Sequence, residues 1–305
     1  MNNVVLNESL SLTSRLFIYA AMAVYTFSFL AYVLNLSRQA SEKKAVRAEA
    51  SKSERVALIL LIGAAALHTV GVVMRAISVS RVPWGNMYEF AITGSLVIVF
   101  IFIVAQFIIR EIKFIALLIS GFALLTLGVA TNNFYVEVAS LMPALQNYWL
   151  YIHVSVAVLA TAFFNIAAAL SVAYLFKTSG LIAKSKSKFS AAFKRVLAVL
   201  PAENKLEKLA YRFNIIGFIL WTFTLIAGAI WAERAWHRYW GWDTKEVWTF
   251  IIWTLYAGYL HANATRGWSG KRSAWLALIG FSAVIFNFTI VNLFFKGLHV
   301  YSGLK

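Results

Sequence analysis

Charge is scarce in this chain: only 13% of the 305 residues are Asp, Glu, Lys or Arg, against 61% hydrophobic residues. That balance excludes an ordinary water-soluble domain and assigns the chain to a bilayer. Cysteine is absent altogether. The chain therefore forms no disulfide and carries no nucleophilic thiol, and any thiol chemistry that it serves must use a thiol on another molecule. No internal repeat is legible, which leaves an inverted-repeat transporter without positive support.

Uninterrupted apolar stretches of roughly 20 residues, the length that crosses a hydrocarbon core, number eight. They run approximately Leu16–Leu36, Val56–Met74, Phe90–Ile109, Phe114–Ala130, Leu150–Phe176, Phe213–Ala232, Val247–Ala264 and Ala274–Phe295, and none contains an acidic or basic residue. The expected fold is all-α, a polytopic membrane protein of about eight transmembrane helices. Arg15 precedes the first stretch as in a signal peptide, but the stretch is long and no small-residue cleavage site follows, so a retained helix is expected.

The net charge of +16 is not spread as a nucleic-acid surface would be. With the amino terminus outside, four connections are cytoplasmic: 37–55, 110–113, 177–212 and 265–273. They hold 20 of the 28 Lys and Arg residues, as the positive-inside rule demands. Both termini are then extracytoplasmic, and the basic run Lys184, Lys186, Lys188, Lys194 and Arg195 reads as an orientation signal beside anionic membrane lipid. The chain divides into a five-helix part (1–176), a basic cytoplasmic linker (177–212) with a short amphipathic helix around Phe189–Leu200, and a three-helix part (213–305). No nucleic-acid partner is expected.

Chemistry concentrates between the sixth and seventh stretches, where 231–248 holds five tryptophans in 18 residues. Trp and Tyr gather at membrane interfaces for their amphipathic rings, so an aromatic belt is one reading. The other is a platform of flat rings for a large planar ligand, with Asp243 and Glu246 at its rim. Two histidines lie at the same outer level, His153 at the start of the fifth stretch and His299 just past the end of the eighth. Paired imidazoles are strong axial ligands for heme iron, whereas a single membrane-edge His is commonly just an interfacial polar group. His261 falls about 20 Å below the outer surface, counting 1.5 Å per residue from Val247. An imidazole at that depth is either bonded to a neighbouring helix or functional. Arg75, Arg81, Arg234, Arg238 and Lys245 are the cations available to heme propionates, and the sequence does not choose among them.

The run Trp236-His237-Arg238-Tyr239-Trp240-Gly241-Trp242-Asp243-Thr244-Lys245-Glu246 resembles the WWD signature of heme-handling membrane proteins, most closely the CcsA/ResC (CcsB-type) family of System II cytochrome c biogenesis. Val247–Arg266 and the earlier Arg81-Val82-Pro83-Trp84-Gly85-Asn86-Met87-Tyr88-Glu89 are similar to the same family, and so is the eight-span layout. Two departures stand out: His237 and Thr244 occupy positions where the family usually has Gly and Pro. The resemblance implies a heme-presenting subunit of a cytochrome c synthetase of the heme lyase type, in the plasma membrane, with the aromatic loop extracytoplasmic. Heme b is then bound non-covalently in transit, with His153 and His299 as external iron ligands and His261 as an intramembrane ligand. It further implies that a ResB/Ccs1-type membrane protein is the partner and that apocytochrome c with a C-x-x-C-H motif is the acceptor. Trp236, Tyr239, Trp240, Trp242 and Arg238 would then contact heme, with Trp236, Trp240, Trp242 and Asp243 orienting its vinyl edge. The second ligand of the His261 site is either a partner histidine or His68.

A heme transporter or chaperone without a part in bond formation, and a b-type electron-transfer cytochrome, use the same residues and are the competing readings. An ion or solute transporter is disfavoured, since no span carries a charge to line a path.

Overall fold

The computed structural model describes residues 7–41, 43, 50–141, 145–179, 188–295 and 297–298. Helix is the only extended regular structure among them, in nine main segments: α1 (Glu8–Gln39), α2 (Ala50–Val79), α3 (Met87–Ile108), α4 (Ala116–Asn133), α5 (Tyr148–Thr178), α6 (Lys188–Val199), α7 (Glu203–Trp236), α8 (Thr244–Arg266) and α9 (Lys271–Phe286). A 3-10 turn, Arg110–Ile115, leads into α4, and α9 continues through a π-helical segment, Asn287–Val291, into Asn292–Phe294. Seven of these units are long and apolar enough to cross a membrane, so the chain is a multi-pass membrane protein. The remaining expected span, α8, is helical for 23 residues, but its Thr, Asn and His content makes it less apolar than the others.

The helices are built for lipid rather than water. The buried face of α1 reads Ser11, Ser14, Ile18, Ala21, Tyr25, Ser28, Tyr32 and Asn35, alternating steps of three and four residues, while Leu16, Phe27 and Leu34 lie exposed. Small residues in that seam let α1 and α2 approach closely, and hydroxyls cross it. Ser14 Oγ donates to the Gly71 carbonyl at 2.7 Å and Ser28 Oγ to that of Ala57 at 3.0 Å. α3 and α4 complete this first bundle around a core that includes Leu61, Ile92, Phe102 and Ile119.

The second bundle is organised on the long antiparallel pair α5 and α7, with α8 and α9 packed against it. Phe164 of α5 stacks on Tyr256 of α8 with centroids 3.7 Å apart, and the Trp221 indole N–H of α7 donates to the Thr249 carbonyl at 3.1 Å. The amphipathic α6 forms where the sequence places it, and Lys177 fastens the turn after it by donating to the Leu200 and Pro201 carbonyls. α7 starts at Glu203 and runs unbroken for 34 residues, so residues 203–212 of the basic connection are helical and continuous with the span.

Candidate functional site

The aromatic loop closes α7 and opens α8. α7 ends at Trp236 and is capped by His237, whose φ of 56° is the left-handed conformation that terminates helices and that glycine adopts at least cost. α8 starts on a capping box in which the Asp243 carboxylate takes the first-turn N–H groups and the Glu246 side chain reaches back to Asp243. Glu246 Oε2 accepts from the backbone N–H of Gly241 at 2.8 Å and of Asp243 at 3.1 Å, folding the loop over its carboxylate. Arg238 stands 3.6 Å from Glu246 Oε1. These bonds turn Trp242 outward: φ is 58° and the side chain is 77% exposed.

Three further bonds tie this loop to residues 287–298. Asp243 Oδ2 accepts from the Leu298 backbone N–H at 2.8 Å, one residue before His299. Lys245 Nζ donates at 2.7 Å to the Asn287 carbonyl, on the π-helical segment where the regular ladder is broken and carbonyls seek donors, and at 3.0 Å to Asn292 Oδ1 just past that segment. Burial of that ammonium pushes its pKa down to about 7, against the opposing pull of Asp243.

The connection from α2 to α3 repeats this construction. Asn86 caps α3 by accepting from the Glu89 N–H at 2.9 Å, and Glu89 Oε2 accepts from the Gly85 N–H at 2.9 Å. Arg81 donates to Glu89 at 2.6 Å, and its guanidinium lies over Gly85 as that of Arg238 lies over Gly241. Residues 81–89 read R-V-P-W-G-N-M-Y-E and residues 238–246 read R-Y-W-G-W-D-T-K-E. Each nine-residue segment runs from an Arg through Trp-Gly and a helix cap to a Glu that gathers the turn. An ungapped comparison hides this local repeat, because Arg and Trp are one residue closer together in the second segment and Trp242 is inserted before its cap.

Both segments line one cavity of about 390 Å³, which is walled by α3, α4, α5, α7, α8 and α9 and predominantly apolar. Trp84, Tyr239, Trp240, Lys245 and Glu246 face it, and so does His153. The imidazole of His153 lies nearly parallel to the buried Trp231 ring, with centroids 5.9 Å apart, and its Nδ1 is 2.9 Å from the Thr224 carbonyl. A carbonyl oxygen only accepts, so Nδ1 carries a proton, and in the neutral form of the ring the basic lone pair is then the one on Nε2. Two buried polar atoms of the cavity wall, Trp84 Nε1 and Asn287 Oδ1, have no hydrogen-bond partner among the described residues.

The remaining sequence-predicted residues take other places. Trp236 packs edge-on against Trp231 at 4.9 Å and carries the Arg238 guanidinium over its ring at 5.9 Å, beside the cavity rather than in its wall. Asp243 is a helix cap and a clamp on Leu298. His261 is exposed on α8, whereas His68 is fully buried, bonded through Nδ1 to the Tyr25 hydroxyl at 3.3 Å inside the first bundle. The structure does not bring these two together. Arg75 and Arg81 are committed to Glu89, and Arg75 also donates to Ser11 Oγ and the Val136 carbonyl. Of the cations considered for propionates, Lys245 alone reaches the cavity wall. His299 lies outside the described residues, as do Lys184 and Lys186.

Sequence reasoning missed Trp84, Thr224, Gly228, Trp231 and Asn287 as parts of the site. Trp84 was recoverable by setting the two Trp-Gly segments side by side. Thr224, Gly228 and Asn287 lie within apolar spans, where nothing in the pattern separates a wall residue from a lipid-facing one.

Residues 84–299 match the family of cytochrome c assembly proteins. The chain is 33% identical to a cytochrome c biogenesis protein CcsA of Synechococcus sp. (strain RCC307), over 82% of this chain and 86% of that protein. It is 32% identical to a cytochrome c biogenesis protein CcsA of Prochlorococcus marinus, over 97% and 99% of the two chains. Among solved structures, the cytochrome c heme lyase CcmF superposes with a TM-score of 0.61 at 17% identity, covering 92% of this chain and 46% of that one, a likeness of fold.

Proposed function

The chain belongs to the family of cytochrome c assembly proteins, and on that premise we propose that it binds heme b in transit and presents it to apocytochrome c at the extracytoplasmic face. The observation that carries this reading is the meeting of His153 with Trp84 and Trp240 in one apolar cavity. The wall suits a porphyrin in three respects: flat aromatic surface, an imidazole with its lone pair on Nε2, and polar atoms, Trp84 Nε1 and Asn287 Oδ1, whose bonding capacity the protein leaves unused.

His153 would supply one axial nitrogen, and His299, directly after the residue clamped by Asp243, the other. Tyr239 and Trp240 would bear on the ring, and Trp236 and Trp242, flanking the cavity, on its exposed edge. Arg238 and Lys245 would answer the propionates. Bound heme supplies ferrous iron for the imidazoles and two vinyl groups that accept thiols. Each acceptor thiol of a C-x-x-C-H segment adds across one vinyl group: the S–H and π bonds break, an S–C bond forms, and the hydrogen passes to the other vinyl carbon. Catalysis by this chain is then positioning of two reactants, in keeping with its lack of cysteine. The exposed His261 on α8 suits an intramembrane ligand set completed by a ResB/Ccs1-type partner.

The test is an absorption spectrum of the purified chain, paired with cytochrome c maturation in cells. Low-spin heme is expected in the native chain. His153→Gly should abolish the external low-spin signal and maturation, and added imidazole should restore part of both. Unchanged spectrum and maturation in His153→Gly would overturn the reading. Reporter fusions after Asn133 and after Ser269 test the sidedness, with the first extracytoplasmic and the second cytoplasmic. Heme bound without any covalent product in a system reconstituted with the partner would reduce the function to that of a chaperone.

A further inference from the structure

His153 reaches the cavity from α5, but the surface that fixes its ring belongs to α7. In a helix the Cα–Cβ bond tilts toward the N-terminus, so a side chain at position 228 projects over the carbonyl of residue 224, one turn earlier. That carbonyl is the acceptor for His153 Nδ1. Position 228 is a glycine, and the imidazole occupies the space that a side chain there would fill. A Cβ built on Gly228 would lie 2.8 Å from His153 Cε1 and 2.9 Å from Nδ1, well inside ordinary van der Waals contact. One turn on, Trp231 offers its buried face parallel to the same ring.

We propose that Gly228 is a positioning residue: with the Thr224 carbonyl and Trp231 it forms a notch in α7 that docks the His153 imidazole, fixes the Nδ1–H tautomer and so leaves Nε2 as the ligating nitrogen. This rests on the proposed role of His153 as an iron ligand. The chemistry explains why the notch matters. A ligand must be held to within about 0.5 Å of its working position, and the second nitrogen of a metal-bound imidazole is ordinarily fixed by a carbonyl or carboxylate. A methyl group at 228 pushes the ring to the edge of that tolerance and stretches the 2.9 Å bond that sets the tautomer. The iron, not the fold, feels the change, because the displaced group is one half-buried ring.

The experiment compares Gly228→Ala, Gly63→Ala and His153→Gly chains purified from membranes. A Cβ at Gly63 meets nothing within 4 Å, so Gly63→Ala controls for an added methyl in a span. Gly228→Ala is expected to accumulate normally while its low-spin heme signal at a fixed subsaturating heme concentration falls about tenfold, the usual cost of losing an outer-shell partner. Gly63→Ala should keep the native spectrum. A native spectrum in Gly228→Ala, with the signal lost in His153→Gly, overturns the notch and leaves the proposed function standing. A native spectrum in His153→Gly overturns the proposed function itself. Nitrogen NMR of heme-free native chain labelled at histidine supplies a test independent of any effect of Gly228→Ala on folding. The His153 signal should report a protonated Nδ1, and a neutral ring protonated at Nε2 would refute the proposal.

Discussion

The two Trp-Gly segments that border the cavity share a construction and differ in how firmly they are closed. In Arg81–Glu89 the gathering carboxylate is completely buried and holds two guanidiniums, Arg75 from below at 3.0 Å and Arg81 at 2.6 Å. Arg75 binds the segment to Ser11 of α1 and to the backbone of Val136 as well. In Arg238–Glu246 one guanidinium stands at 3.6 Å, partly exposed, and the loop carries the additional Trp242 in a left-handed conformation. The first segment is a fixed wall. The second is fastened just enough to present aromatic faces, and its other bonds run to the π-helical segment and to Leu298. One capping device thus serves rigidity where both guanidiniums press a fully enclosed carboxylate, and presentation where a single, partly exposed guanidinium stands farther off.

That contrast is broken or sharpened first by removing each carboxylate. Glu89→Ala strands two cations, one of them wholly buried, and breaking such a pair costs about 3–5 kcal/mol. Glu246→Ala forfeits a helix-cap interaction and a partly exposed ion pair, a loss of about 1–2 kcal/mol. Thermal unfolding in detergent and accumulation in membranes should rank the variants in that order, with Glu89→Ala strongly depleted. Equal losses would mean that the two clamps are energetically alike.

The second comparison is within the looser segment. Trp240 faces the cavity, whereas Trp242 is 77% exposed outside its wall. Replacing Trp240 by Leu keeps apolar bulk but removes the flat face, and should cost about tenfold in heme retention, as loss of about 1.4 kcal/mol of ring contact does. Trp242→Leu should leave retention near native and lower only cytochrome c maturation, where an outward ring can guide the arriving acceptor. Heme titration of the two purified variants separates these outcomes. Greater loss from Trp242 would move the binding surface out of the cavity.

How much of this was legible beforehand follows the same division. The spans could be read because lipid imposes long uncharged runs, and the aromatic loop because five tryptophans in 18 residues are conspicuous. His153 could be placed at the level of the aromatic loop by counting, and the two do line one cavity. What the sequence could not supply was who faces whom. Arg75 looked available to an anionic ligand because Glu89, its partner 14 residues on, lies across a turn whose geometry no periodicity encodes. Gly228 looked like any glycine in a span, since its importance comes from a ring on another helix. His68 and His261 were both simply intramembrane imidazoles until one proved enclosed by α1 and the other exposed on α8.

The smallest effect is expected at His237, where the looser segment leaves α7. Its imidazole is exposed and does not line the cavity, so removing it should change no contact with a bound ring. Its backbone, however, is left-handed at φ 56°, a conformation that costs an L-residue roughly 1–2 kcal/mol relative to glycine. The same helix end keeps its closing bond, from the His237 N–H to the Glu233 carbonyl at 2.8 Å, whichever residue stands there. Glycine gives back part of its advantage through the greater freedom of its unfolded chain, so His237→Gly should stabilise the protein by at most about 1 kcal/mol. The heme spectrum and cytochrome c maturation should stay native. A melting temperature that rises slightly with an unchanged spectrum fits a residue that terminates a helix. Loss of low-spin heme in His237→Gly would instead make His237 an iron ligand, and the loose segment would then bind the metal directly rather than frame it.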